Sequence, residues 1–168
     1  STETGRIVGE VCGCMHKRLS LEMGGKNAMI VFDDADLDLA LDGVVWGAFG
    51  TTGQRCTATS RLILQDRVHD QFLGRLVDRA RALKLGDGRK EGTDVGPLIN
   101  ENSVKKVERY VDIGQGEGAD LLCGGQRPQD NGLSKGFFFE PTIFTRVQPG
   151  MRLEQEEIFG PVLSVIRF

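Results

Sequence analysis

No apolar run in this chain approaches the roughly 20 residues that a membrane-crossing helix requires, and no secretory signal is visible. Positive charge is not in excess either: 21 Lys and Arg stand against 24 Asp and Glu, and the formal charge is −3. The signs are interspersed, so there is no basic stripe and nucleic acid is not an expected partner. Cysteine occurs only at positions 12, 14, 56 and 123, a spacing too irregular for a disulfide scaffold. A reducing cytosol is the matching expectation. Histidine is scarcer still, since His16 and His69 are the only two and neither is evidently paired with a cysteine, which argues against a cysteine hydrolase. GxGxxG, Walker A and GxSxG patterns, internal repeats and low-complexity tracts are all missing.

What is present centres on Gly50 to Ser60, GTTGQRCTATS, with Cys56 in the middle. Small and hydroxylated residues flank the thiol, so backbone can approach a reacting group closely. A cysteine kept only for packing would sit among core formers. Here the neighbours are Gln54, Arg55 and Thr57, and Arg55 is placed to favour the thiolate. Apolar flanks on both sides predict a loop held between two packed elements with the sulfur at its tip.

The order of elements predicts the fold class. Ser1 or Thr2 caps a first helix carrying Ile7, Val8 and Val11 on one face, and its free N-terminal amides are suited to an anion. Cys12, Cys14 and His16 then share one face of an expected extended segment, but a structural zinc site needs a second cluster and none exists, so no metal is expected. RLSLEMGG reads as a strand with Glu22 at its C-terminal end, the edge where α/β folds keep their sites, and NAMIVF as a continuous apolar strand. Asp33, Asp34 and Asp36 form an acidic turn that supplies the N-cap of a helix from Leu37 to Phe49, with Trp46 at its rim. A strand from Arg61 to Gln65 and a helix over 68–83 follow, with His69 on the surface. A helix from about Asn102 to Gly114, a strand ADLLC and a surface loop over 124–135 come next. FFFEPTIF reads as a strand interrupted at Pro141, placed at a sheet edge or as an exposed rung. In the last stretch Glu157 and Phe159, two apart, lie on one side of an extended segment, a pairing suited to a ribose and a base. Alternating strands and helices predict an α/β fold with a mainly parallel sheet covered by helices on both faces. The chain opens at STETG and stops within PVLSVIRF, so both ends read as cuts through a longer fold and the domain is expected to be incomplete at each.

Three of these stretches carry a family resemblance. LEMGGKNAMIVFDDADLD resembles the glutamate motif of the aldehyde dehydrogenase superfamily, GQRCTATSR its cysteine motif and EEIFGPVLSV its cofactor-facing motif, in the family's order. GTDVGPLI and FFFEPTIF extend the resemblance over nearly the whole chain. It implies a division into residues 1–22, the trailing part of a Rossmann-type NAD-binding domain, and 23–168, a catalytic domain. It further implies Cys56 as the nucleophile and Glu22 as the base that activates a deacylating water. Glu157 is implied at the nicotinamide-side ribose, Phe159 beside the nicotinamide, the Met23 and Gly24 backbone at its carboxamide, and Ser1 at the helix start receiving the pyrophosphate. The cofactor implied is NAD or NADP, the partner a small-molecule aldehyde, and the full-length assembly a homo-oligomer. GQRCTATSR is similar to the motif of semialdehyde-oxidising members. Two other readings stand beside this one: a CoA-acylating relative, and a non-catalytic segment that serves folding or assembly.

The resemblance also implies that most of the dinucleotide-binding domain, the asparagine completing the oxyanion hole and the oligomerisation arm lie outside these 168 residues. The purified chain by itself is therefore expected to give no NADH from aldehyde and NAD, followed as absorbance at 340 nm; detectable turnover would show that these residues suffice.

Overall fold

Among the residues the computed structural model describes, 1–129 and 132–168, there are five strands and five α-helices. They are α1 (Thr2–Cys14), β1 (Asn27–Val31), α2 (Leu37–Phe49), β2 (Thr59–Leu64), α3 (Asp66–Ala82), α4 (Glu101–Gly116), β3 (Asp120–Cys123), β4 (Thr142–Thr145), α5 (Arg152–Gln155) and β5 (Val162–Arg167). One sheet contains all the strands in the order β1-β2-β5-β4-β3. The first three pairings are parallel, and only β3 runs antiparallel to its neighbour β4. The expected mainly parallel α/β sheet is thus the observed one.

Side-chain alternation along the central strand decides which helices cover which face. In β5, Leu163 and Val165 join Leu62 and Leu64 of β2 and Ile143 of β4 in a core completed by Val44 and Phe49 of α2 and Phe72 and Leu76 of α3. Val162, one position earlier, turns to the other face with Phe144, where Val104, Val107 and Val111 of α4 and Leu153 of α5 lie. Ser164 faces the same way, fully buried, and its hydroxyl donates to the Leu153 carbonyl at 3.0 Å. A polar group is tolerated there because its donor is used.

Helix ends follow their capping residues. The Asp36 carboxylate accepts from the Asp38 and Leu39 amides at 3.1 Å, starting α2 where the acidic turn predicts it. Asn100 caps α4 by accepting from Ser103 N at 2.9 Å, and Ser1 caps α1 by accepting from Thr4 N at 3.2 Å.

Several expectations are corrected. α1 continues through Cys12 and Cys14, so those cysteines are helical rather than extended, and no metal-binding group of His, Cys, Asp and Glu forms among the described residues. RLSLEMGG is not a strand: regular pairing begins only at Asn27, and the stretch instead packs on α1, with Leu19 beside Gly9 and Leu21 and Met23 beside Gly5. The strand holding Pro141 is not at an edge. It starts just after the proline, at Thr142, and lies buried between β5 and β3, so the missing N–H falls outside the ladder. His69 is not a surface residue either; it is 7% exposed, and its Nδ1 lies 2.7 Å from Asp70 Oδ1. The loop over 124–135 is irregular as expected, and its residues Asp130 and Asn131 fall outside the described ones. No described helix is long and apolar enough to cross a membrane.

The alternation in β2 makes a direct test. Leu62 is fully buried and Ile63 only partly so. Leu62→Ala is expected to cost about 2–5 kcal/mol in urea unfolding and Ile63→Ala distinctly less; equal costs would contradict the sheet's facing.

Candidate active site

Three segments meet because of strand pairing. β1, β2 and β5 are adjacent and parallel, with Asn27 opposite Thr59 and Arg61 opposite Ser164, so the stretches leading into their N-terminal ends lie side by side. Those stretches are Glu22–Lys26, Arg55–Ala58 and Glu157–Pro161. The site therefore stands at the N-terminal ends of the strands, not at the C-terminal edge expected of Glu22. Gly25, Gly53, Arg55, Ser60, Glu157 and Phe159 line one small cleft there, about 20 Å³ in volume.

Cys56 sits at the crest of a turn. Ala58 N donates to Arg55 O at 3.0 Å, leaving Cys56 and Thr57 as the two exposed central residues. Among the described residues neither the Cys56 nor the Thr57 N–H donates a hydrogen bond, so both amides are free beside the thiol. The residues ahead of the turn are strained. Thr51, Thr52 and Gly53 take φ of 56°, 58° and 66°, three consecutive left-handed residues, of which two are β-branched.

That shape is imposed from outside. The Asn27 Nδ2 donates to the Cys56 carbonyl at 2.5 Å and to the Ala58 carbonyl at 3.3 Å. Thr52 donates to Gly96 O at 3.0 Å, and the Gln54 side chain accepts from Ile99 N at 2.9 Å. GTDVGPLI thereby finds its purpose as a brace. Gly53 packs so closely against the Gly160 carbonyl that a Cβ would collide with it, which ties the cysteine loop to the segment before β5.

Arg55 does not serve the thiol as expected. Its guanidinium stacks over the Trp46 ring, 4.0 Å from the centroid, and donates to the Trp46 and Gly47 carbonyls at 3.3 Å. Its charge is spent on α2, fastening the loop to the helix before it.

Glu157 and Gly24 are in close contact: a Cβ at Gly24 would overlap the carboxylate, and Gly25 N donates to Glu157 Oε1 at 3.4 Å. Phe159 is exposed beside the same cleft, but its φ of +62° makes the backbone turn there, so Glu157–Phe159 is not the simple extended pair expected. Met23 turns its side chain toward Gly5 of α1. Ser1 uses its hydroxyl on Thr4, and Glu22 is exposed; among the described residues no hydrogen bond joins either to Cys56 or Glu157.

Sequence reading missed Lys26, Asn27 and Arg61, none of which stands out by periodicity or motif chemistry. Arg61 donates to Glu154 Oε1 at 2.5 Å and to the Lys26 carbonyl at 2.7 Å, pinning the Gly-Gly-Lys turn to α5. Lys26 Nζ is buried with no hydrogen-bond partner among the described residues. Burial first, and the Arg61 charge second, lower its pKa to about 8 against the opposing pull of Glu154 and Glu157.

The model of the aldehyde dehydrogenase family matches residues 1–168. Betaine aldehyde dehydrogenase of Bacillus subtilis is 50% identical over 99% of this chain, and that of Mesorhizobium japonicum 44% identical over all of it. Betaine aldehyde dehydrogenase from Staphylococcus aureus in complex with NAD+ superposes with a TM-score of 0.96 at 42% identity, covering 99% of this chain and 33% of that one. HpcC from Thermus thermophilus gives a TM-score of 0.95 at 45% identity, covering all of this chain and 33% of that one. The chain spans 34% of the length of the curated relatives. A family model matched from end to end, and a sheet that superposes on solved members, place this chain in the aldehyde dehydrogenase family.

Proposed function

We propose that the chain is the catalytic segment of an NAD(P)-dependent aldehyde dehydrogenase that converts an aldehyde to its carboxylic acid. The observation that carries this is the convergence of the Glu22, Cys56 and Glu157 segments on one end of three adjacent parallel strands, joined by the Asn27 and Gly25 hydrogen bonds. The names of the relatives make betaine aldehyde the first substrate to assay, with a semialdehyde next.

In this reading the Cys56 thiolate adds to the aldehyde carbonyl, and the free amide of Cys56 donates to the oxyanion that forms. The nicotinamide cofactor, when bound, supplies the hydride acceptor. Loss of hydride from the former aldehyde carbon, as the oxyanion reforms the carbonyl, would leave the acyl group as a thioester on Cys56. Glu22, exposed to solvent, takes a proton from water, and the hydroxide releases the acid and the thiolate.

The residues present fit such a cofactor. The Glu157 carboxylate suits ribose hydroxyls and the exposed Phe159 ring suits a flat heterocycle, both at the cleft. With the Met23 side chain turned to α1, the backbone of Met23 and Gly24 is left for polar contact. Ser1 marks the N-terminus of α1, a start suited to a pyrophosphate. We assign residues 1–22 to the end of the NAD-binding domain and 23–168 to the catalytic domain; α1 packs on Leu19, Leu21 and Met23 rather than on the sheet, which supports a boundary there. A cytosolic homo-oligomer completes the proposal, in keeping with four free cysteines.

In the full-length protein, Cys56→Ala is expected to lower NADH formation by about 10³-fold or more. Glu22→Gln is expected to keep a rapid single-turnover burst of NADH while steady turnover falls about 10²–10⁴-fold. Wild-type steady turnover in Glu22→Gln would remove Glu22 from the role, and acyl-CoA in place of free acid would favour the CoA-acylating reading. Iodoacetamide near neutral pH is expected to label exposed Cys56 well before Cys123, whose thiol burial pushes up in pKa; equal rates would support a non-catalytic segment.

A further inference from the structure

The cation next to the nucleophile has no counter-ion. Arg55 directly precedes Cys56, and consecutive Cα atoms stand about 3.8 Å apart, so its guanidinium lies within one side-chain length of the sulfur. What α2 offers it is neutral: the Trp46 ring and the Trp46 and Gly47 carbonyls. Both carbonyls take the same amino group, Nη2, at 3.3 Å. Nε is buried without a partner, and Nη1 donates no hydrogen bond among the described residues, though unlike Nε it is not sealed from solvent. The carboxylates that share a cavity with Trp46 are occupied elsewhere, Asp42 by Arg79 at 2.8 Å and Asp94 by the Lys84 amide at 2.8 Å. None pairs with Arg55 among the described residues. A half-buried charge with unused donors is costly where nothing neutralises it. The ring beneath it is equally telling. Trp46 is 66% exposed, a large apolar surface left open beside an exposed thiol. It is nevertheless fixed, with the guanidinium 4.0 Å from its centroid and a Cβ at Gly50 able to stand only 3.5 Å from its indole atoms.

We propose that Arg55 is a specificity-determining residue: it selects an aldehyde that carries a carboxylate at its far end and disfavours a cationic one. The carbon chain lies along Trp46, and Nη1 donates to the carboxylate. This deepens the assignment of Cys56 as nucleophile and rests on it. A fixed apolar plate with an unneutralised guanidinium beside it suits a short chain ending in an anion. It is the opposite of what a quaternary ammonium requires. Such a cation seeks an open aromatic face, and here a guanidinium already covers one. Arg55 thus has two tasks: Nη2 fastens the loop to α2, and the charge that α2 leaves unneutralised is met by the substrate.

The test uses full-length protein with NAD and a set of aldehydes: glutarate semialdehyde, pentanal, which has the same carbon chain without the charge, and betaine aldehyde, which carries the opposite charge. kcat/KM is expected to be about 10–100-fold higher for glutarate semialdehyde than for pentanal, the worth of one hydrogen bond to a charged group, with betaine aldehyde below both. Arg55→Gln is expected to bring the ratio of the first two close to one. Arg55→Lys, which keeps the charge but not the planar fork, is expected to leave an intermediate ratio. Each ratio is read within one protein, so a general loss of activity from a loosened loop does not mimic the result. An unchanged ratio in Arg55→Gln would overturn the proposal, as would wild-type protein that shows no preference for glutarate semialdehyde or prefers betaine aldehyde. A crystal structure of Cys56→Ala protein soaked with glutarate semialdehyde gives a reading independent of turnover. A carboxylate on Arg55 supports the role, and a carboxylate placed elsewhere, or no bound semialdehyde, overturns it. NADH from none of the aldehydes would count against the dehydrogenase reading, with the soaked crystal still deciding the part played by Arg55.

Discussion

The parallel pairing of β1, β2 and β5 is the constraint on which everything else depends. Parallel neighbours begin at the same edge, so segments far apart in sequence are delivered together wherever their strands start. Glu22, Cys56 and Glu157 occupy three such starts. Two layers of helix then bury the sheet and fix its register. Leu62 and Leu64 lock β2 onto α2 and α3, and Val162 and Phe144 lock the other face onto α4 and α5. A one-residue slip in β2 would exchange these leucines with Arg61 and Ile63, and Arg61 would lose Glu154.

Much of this was legible in the sequence. The span of α2 follows from its aspartate cap and apolar spacing, and the exposed turn that carries Cys56 from the polar, small residues around it. What escaped reading has physical causes. RLSLEMGG alternates like a strand, but alternation specifies only a two-faced extended segment, and this one spends its apolar face on α1 instead of on a ladder. Pro141 argued for an edge because proline lacks a donor, yet by ending just before β4 it leaves the ladder intact. The His69 pattern is that of a helix surface; its burial arises from the surrounding fold, which no local window contains.

The polar connectors were the least legible part. Asn27 reaches the Cys56 carbonyl, Arg61 joins Lys26 to Glu154, and Gln54 meets Ile99, each across tens of residues. Side-chain to backbone hydrogen bonds of this kind follow from three-dimensional proximity, and proximity follows from strand order. The Arg55 guanidinium shows the converse. Charge adjacency in sequence suggested a partner for the thiolate, and stacking on Trp46 claims that side chain instead.

The run Thr51–Thr52–Gly53 has a consequence for how the molecule comes into being. Left-handed backbone at two threonines is not chosen by a free chain, and its supports arrive from Asn27, Gly96, Ile99 and finally Gly160, far downstream in the sequence. During synthesis the sulfur emerges well before Gly160 does. The loop thus acquires its shape only when β5, the central strand of the described sheet, inserts between β2 and β4. The shape of the loop around Cys56 is thereby coupled to a segment that lies far downstream in the sequence.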